Sequence, residues 1–77
     1  MTADAIMNKI KEIVSNVSCE PEHDIIEESH LINDLGVDSL VRIEIALELE
    51  KAYSITIPDS EIEEWDTVLD IWESITD

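Results

Sequence analysis

The sequence predicts a small all-α protein, a four-helix bundle of three main helices and one short helix, with a long first loop. Its 77 residues are 44% hydrophobic, which is enough apolar material for one core but not for two. They include one glycine and two prolines, and the apolar residues recur mainly at helical spacing. We therefore expect residues 1–77 to form a single domain.

The first helix is predicted over residues 3–17, and either Thr2 or Asp4 is expected to cap its start. Polar residues such as Asn8 and Glu12 should face the solvent. The prediction rests on one apolar stripe at helical spacing, formed by Ile6, Ile10, Ile13, Val14 and Val17.

The first loop is predicted over residues 18–37, where no periodicity is sustained and Pro21, Asn33 and Gly36 interrupt the chain. A connection of this length in a small protein is often functional. A short helical turn is expected around residues 28–33. Dispersed apolar residues should anchor the loop across the bundle, namely Ile25, Ile26, Leu31, Ile32 and Leu35.

The second helix is predicted over residues 38–53, with Asp38 as its N-cap. It should end near residues 53–54. Its apolar residues mark a broad face that we expect to be buried, comprising Leu40, Ile43, Ala46, Leu47, Leu49 and Tyr53.

The last part of the chain predicts a link, a short helix and a final helix. Residues 55–58 should be extended, with both isoleucines in the core, because so short a strand has no partner. Asp59 or Ser60 should cap a short helix that ends near residue 64. Thr67 should cap the final helix over residues 68–76. The predicted buried face of that helix comprises Val68, Ile71, Trp72 and Ile75.

Charge is the most unusual bulk property, with 20 acidic residues against four basic ones and a formal net charge of −16. All acids except Asp4 and Glu12 follow residue 19, where Arg42 and Lys51 are the cations. Nucleic acid is not expected as a partner, since its binders need cations to replace phosphate counterions. Enzymes with basic docking surfaces are expected instead, although the charge is equally consistent with a role in solubility alone.

The compartment is predicted from what the chain contains. It shows neither a basic and apolar leader nor a segment of membrane-spanning length, so we expect a cytoplasmic protein without membrane insertion. We also expect a monomer. Cys19 is the one cysteine and cannot form an internal disulfide, which fits a reducing compartment. We expect its side chain to be buried or half-buried.

Catalytic and metal-binding patterns are incomplete in this chain. Ser39 lacks the G-x-S-x-G frame of a nucleophile elbow. His23 and His30 lie in the acidic loop at a spacing that matches no metal site, so solvated histidines are expected. Residues 59–70 resemble a calcium loop, but Glu64 stands where the sharp turn needs glycine. We expect no metal site and no enzymatic activity.

The stretch LGVDSL, residues 35–40, combines a turn with a helix start. Gly36 allows a tight turn, Asp38 begins the helix and Ser39 lies in its first turn, where backbone N–H groups and the helix dipole favour an anion. We expect Leu40 to point inward and leave the Ser39 hydroxyl outside, where a phosphate ester would be stabilised. The alternative is that Ser39 is an ordinary capping residue.

The sequence resembles the acyl carrier protein family over nearly the whole chain. The resemblance lies in LGVDSL, in the apolar and acidic helix that follows it, and in Ile-Pro-Asp at residues 57–59. In that family the serine of Asp-Ser-Leu carries 4′-phosphopantetheine, which a phosphopantetheinyl transferase moves from coenzyme A. The arm's thiol then carries an acyl group as a thioester to successive enzymes. The cofactor-binding residues implied here are Gly36, Asp38, Leu40 and, as the attachment residue, Ser39.

The resemblance also implies two further groups of residues. The partner-docking surface on and before the second helix would comprise Asp38, Val41, Arg42, Glu44, Leu47, Glu50 and Lys51. A cavity that shelters the acyl chain would be lined by Ile43, Ala46, Leu49, Ile57, Ile62 and Ile71.

Some residues depart from the pattern of fatty-acid carriers. Val41, which is followed by Arg42, and Lys51 stand where fatty-acid carriers commonly have an acid, which predicts a specialised carrier with partners outside general fatty-acid synthesis. The run EEWDT, residues 63–67, is similar to D-alanyl carrier proteins, although core filling is expected for both tryptophans. Peptidyl carriers commonly have glycine where this chain has Val37. The remaining alternative is an acidic interaction module without a prosthetic group.

Overall fold

The computed structural model describes residues 3–76 and contains the predicted all-α bundle of three main helices and one short helix. Within the described residues α1 packs against α2 and α4, and α3 contacts α2 and α4. The first loop holds one short 3-10 turn at Glu22–Asp24. The four α-helices are α1 (Ala3–Ser18), α2 (Ser39–Tyr53), α3 (Asp59–Glu64) and α4 (Val68–Thr76).

The apolar stripe of α1 faces the core as predicted. Ile10, Ile13 and Val14 are buried, and Ile6 and Val17 pack against the core from its edge. Met7 is buried with them. The stripe therefore docks α1 along its whole length.

The two ends of α1 correct two predictions. Asp4 lies inside the first turn and is not the cap, because the helix already begins at Ala3; Thr2 lies outside the described residues. Cys19 is exposed, so the expectation of a buried thiol was wrong. Its backbone adopts a left-handed φ of 63° as its N–H donates to the Ser15 carbonyl at 2.9 Å, and this helix-ending turn carries Cys19 beyond the core-facing stripe.

The buried face of α2 differs from the predicted one. Ile45, Ala46 and Leu49 are buried, whereas Leu40 is 68% exposed. Ile43 and Leu47 are also exposed, and Tyr53 is half-buried. Apolar residues occur on several faces of α2, so their spacing does not select one face, and contacts with the other elements determine the rotation.

The first loop is seated on the core by three of its five predicted anchors. Ile25, Leu31 and Leu35 are buried, but Ile26 and Ile32 are exposed, contrary to the prediction. The loop thus packs across the bundle with alternate apolar side chains left in solvent.

The short helical turn predicted around residues 28–33 lies slightly later, where the Asp34 N–H donates to the His30 carbonyl at 2.9 Å and the Gly36 N–H to the Ile32 carbonyl at 3.1 Å. The Leu31 N–H donates to the Asp66 carbonyl at 2.8 Å, and the Ser29 carbonyl accepts from the Val68 N–H at 3.2 Å. These backbone groups pair with the start of α4 and so cannot take part in a helical ladder. The chain therefore forms turns over residues 31–35 and no regular helix there.

The link and α3 follow the prediction except at the cap. Ile57 is buried and Ile55 packs against the core. Pro58 occupies the N-cap position in place of Asp59 or Ser60, because its carbonyl accepts from the Glu61 N–H at 3.0 Å and the helix starts directly after it.

The cap and the buried face of α4 are confirmed. The Thr67 hydroxyl accepts from the Asp70 N–H at 3.3 Å, and the Asp70 carboxylate accepts from the Thr67 N–H at 2.9 Å. Val68 and Ile71 are buried. Trp72 and Ile75 pack against the core from its edge.

Trp65, in the turn between α3 and α4, fills the core as predicted. It is 1% exposed, and its indole N–H donates to the Ser74 hydroxyl at 2.8 Å. The buried ring and its satisfied donor connect this turn to the end of α4.

None of the described helices has the length and apolar character that a bilayer crossing requires.

The orientation of α2 predicts that alanine substitution of two aliphatic residues of this helix changes the free energy of unfolding by very different amounts. Ile45→Ala should lower the free energy of unfolding by about 2–5 kcal/mol, because it leaves a cavity in the core. Leu40→Ala should change it by less than about 0.5 kcal/mol, because Leu40 lies in solvent. Urea unfolding measures both, and equal losses would contradict this orientation of α2.

Candidate attachment site at the start of helix α2

The site begins with the closure of the first loop. The Val37 N–H donates to the Leu31 carbonyl at 2.7 Å, and both side chains are fully buried. Gly36 adopts a φ of +66°, a conformation that glycine reaches without steric cost. The chain therefore enters the core at Val37 and leaves it immediately afterwards.

Asp38 caps α2 as predicted. Its carboxylate Oδ1 accepts from the Val41 N–H at 3.0 Å, and its carbonyl accepts from the Arg42 N–H at 3.0 Å. Helix geometry provides no intrahelical acceptor for the N–H groups of Ser39 and Leu40. Together with the helix dipole, these two donors favour an anion at the N-terminus of α2.

Ser39 is exposed in the first position of α2. The prediction that Leu40 turns inward to hold this helix start was wrong, since Leu40 is exposed too. Val37 before the site and Val41 after it make the core contacts instead, Val37 fully and Val41 in part. Ser39 and Leu40 thus lie together on the outer side of the helix start.

A pocket of about 200 Å³ adjoins Ser39 between α2 and α3. Ligand pockets are typically about 300–1,000 Å³, so this pocket is smaller than a typical ligand site. Its lining residues are Ser39, Arg42, Ile43, Asp59, Ile62 and Glu63.

The predicted acyl-cavity residues divide into two groups. Ile43 and Ile62 line the pocket, and Ile43 is too exposed to line an interior cavity. The remaining four are buried in the packed core, namely Ala46, Leu49, Ile57 and Ile71.

Arg42 joins α2 to α3 at this pocket. Its Nη1 donates to the Glu63 carbonyl at 3.3 Å. Its Nε is buried and has no hydrogen-bond partner within residues 3–76. The sequence indicated a cation next to the serine, but it contains no signal for this contact with α3.

The predicted docking residues of α2 differ in their availability. Glu44, Leu47 and Lys51 are exposed. The Glu50 carboxylate instead accepts from the Ile57 N–H at 2.8 Å, so it holds the link after α2 in place.

Tyr53 lies at the far end of α2, where burial raises the pKa of its hydroxyl above the ordinary value.

The loop histidines have local roles. His23 is exposed with its Nε2 at 3.5 Å from the Asp24 carboxylate. His30 is half-buried, and its Nδ1 accepts from the Asn33 N–H at 3.2 Å. Across the described part of the chain, no three His, Cys, Asp or Glu side chains are grouped so that they could hold a metal ion.

Comparison with known proteins decides the family. Residues 8–75 match the family model described as the phosphopantetheine attachment site. An acyl carrier protein of Clostridium perfringens is 39% identical over 72 residues, covering 94% of this chain and 95% of the relative. An acyl carrier protein of Wolinella succinogenes is 43% identical over 68 residues, covering 87% and 88%.

This chain belongs to the acyl carrier protein family. Its prosthetic group is accordingly 4′-phosphopantetheine, which is attached covalently. Members of the family are carriers rather than catalysts, and they interact with a phosphopantetheinyl transferase and with acyl-processing enzymes.

The residues at the start of α2 fit this prosthetic group. Ser39 offers an exposed hydroxyl, and the helix terminus offers donors to a phosphodiester. Arg42 supplies a cation, and Ile43 and Ile62 supply an apolar wall for the arm. The structure groups these features around one pocket.

The cap of α2 can be tested through stability. Asp38→Ala should cost about 1 kcal/mol of unfolding free energy, because the Val41 N–H loses its acceptor. Asp38→Asn retains a side-chain oxygen and should stay within a few tenths of a kcal/mol of the native protein. Thermal unfolding of the two variants measures the difference, and an equal loss in both would mean that the carboxylate charge, and not the cap, matters.

Proposed function

We propose that this protein carries acyl groups as thioesters on a 4′-phosphopantetheine arm attached to Ser39. It would deliver them to enzymes of fatty-acid synthesis or of a specialised lipid or secondary-metabolite pathway. The observation that carries the proposal is the exposed Ser39 hydroxyl at the capped N-terminus of α2. The arm supplies a terminal thiol for the thioester, and the protein supplies the position of that arm.

The loading step uses the Ser39 hydroxyl as a nucleophile. Its Oγ attacks the phosphorus of coenzyme A that bears the pantetheine, the bond to the second phosphate breaks, and adenosine 3′,5′-bisphosphate leaves. The hydroxyl proton passes to a base of the transferase. Asp38 fixes the helix start through its bond with the Val41 N–H, and its carboxylate would help the transferase and its metal ion engage the serine.

The outer face of α2 is the proposed docking surface. Leu40, Ile43 and Leu47 are exposed there at helical spacing, and contiguous exposed apolar residues mark interaction sites. Glu44 and Glu48 are exposed on the same helix and would steer partners with basic surfaces. The position of this surface next to Ser39 lets a docked enzyme reach the arm.

The identity of the partners is proposed to depend on Val41 and Arg42. Both are half-buried, and Arg42 contacts α3. Val41 is uncharged and Arg42 is a cation, so neither supplies the negative charge that general fatty-acid carriers present after the serine. This difference favours a specialised set of enzymes. Trp65 lies in the core, so packing accounts for the tryptophan of residues 63–67, and a D-alanyl carrier is the alternative function.

Attachment at Ser39 is tested by loading the purified protein with coenzyme A and a broad-specificity transferase. Intact mass spectrometry should show one phosphopantetheine-sized gain, absent in Ser39→Ala. Ser60→Ala is the matched control, because Ser60 is also an exposed serine that follows an aspartate near a helix start. A native protein that gains no mass, or a gain that persists in Ser39→Ala, would refute the proposal.

Docking on α2 is tested by the kinetics of the same loading reaction. Leu47→Ala should raise the KM of the transferase for the carrier several-fold without changing the thermal midpoint, because Leu47 contacts the partner and not the core. Ile26→Ala is the control, because Ile26 is 52% exposed and Leu47 51%, but Ile26 lies in the first loop. Equal KM values for the two variants would exclude α2 as the docking surface for this enzyme.

A further inference from the structure

We propose that Arg42 pairs with the phosphodiester on Ser39 and so fixes the base of the arm in the groove between α2 and α3. This inference rests on the proposed attachment at Ser39. It gives Arg42 a role inside the carrier, as a binding residue for its own prosthetic group.

The first argument is position. Ser39 and Arg42 are three residues apart on α2, a spacing that makes side chains neighbours on a helix surface. Both line the same pocket, together with Ile43 and Ile62. A phosphate on the Ser39 Oγ therefore lies within the reach of a long, flexible arginine side chain.

The second argument is charge. Asp59 and Glu63 also line the pocket, and Asp38 directly precedes Ser39. Among the described lining residues Arg42 is the cation. The phosphodiester adds one more negative charge to a protein whose formal net charge is already −16. Without Arg42, the phosphate would meet carboxylates with only the end of α2 to oppose their repulsion.

The third argument is unused hydrogen-bonding capacity. A guanidinium has five N–H donors. Within the fold, the Arg42 Nη1 donates to the Glu63 carbonyl at 3.3 Å, which is long for a hydrogen bond. The buried Nε–H has no partner within residues 3–76, and an unsatisfied buried donor is unfavourable. A phosphate oxygen is the acceptor that a guanidinium binds best.

The arrangement has a consequence for the arm. With its phosphate held by Arg42, the arm would start along the wall of Ile43 and Ile62. The contact between Arg42 and Glu63 would extend this restraint to α3. Attachment should therefore stabilise the packing of α3 on α2.

A thermodynamic cycle between the arm and Arg42 tests the inference. The unloaded and loaded forms of the native protein and of Arg42→Gln, Arg42→Lys and Lys11→Gln are prepared, and intact mass confirms loading. Lys11→Gln is the matched control, because it removes the same charge from α1, where Lys11 lines a different pocket. Thermal midpoints give the coupling, and ³¹P NMR reports on the phosphodiester directly.

Loading should raise the thermal midpoint of the native protein by about 2–4 °C more than it raises that of Arg42→Gln. Arg42→Lys should retain only part of the native shift, because lysine keeps the charge but lacks the Nε–H and the planar guanidinium, and Lys11→Gln should retain all of it. The ³¹P resonance should move only in the Arg42 variants, and the coupling should weaken toward 1 M salt, where the Debye length is about 3 Å. If Arg42→Gln does not fold, Arg42→Lys and the salt dependence of the native ³¹P shift provide the test.

The two proposals fail in different ways. Full loading of all variants with identical midpoint shifts and identical ³¹P resonances would overturn the role of Arg42 and leave attachment at Ser39 intact. A native protein that does not load at all would overturn both.

Discussion

The position of Ser39 depends on how the end of the first loop is closed. Leu31 and Val37 are both fully buried, and the hydrogen bond from the Val37 N–H to the Leu31 carbonyl joins them. Leu31 is itself paired with Asp66 before α4. Because the chain is held on the core up to Val37, the next residues must turn outward, and Asp38 can cap a helix whose first residue is an exposed serine.

This closure also determines the two faces of α2. Ile45 and Leu49 complete the core, while Leu40, which follows Ser39, and Leu47 farther along the helix remain exposed. A helix with apolar residues on opposite faces serves the fold with one face and leaves the other for partners. The negative charge of the protein favours encounters with basic enzymes. Arg42 is the cation among the residues that line the pocket at Ser39, so it opposes the local negative charge there.

The sequence allowed prediction of those features that arise from local rules. The stripe of α1 and the caps at Asp38 and Thr67 follow from periodicity and from side-chain hydrogen bonding over three residues. The rotation of α2 could not be predicted, because its apolar residues occur on several faces. The contact of Arg42 with Glu63 also escaped prediction, because it joins residues 21 positions apart through tertiary packing. The serine and its Asp38 cap were thus predictable, but the exposure of Leu40 and the contact of Arg42 with α3 were not.

The most direct test of the account locates the arm on the protein as it exists in its native host. Fragmentation of the isolated protein by mass spectrometry should find 4′-phosphopantetheine on Ser39, with the neighbouring Asp38 and Leu40 unmodified. An arm on another residue, or a native protein that carries none, would contradict the claim that the closed loop presents Ser39 for attachment.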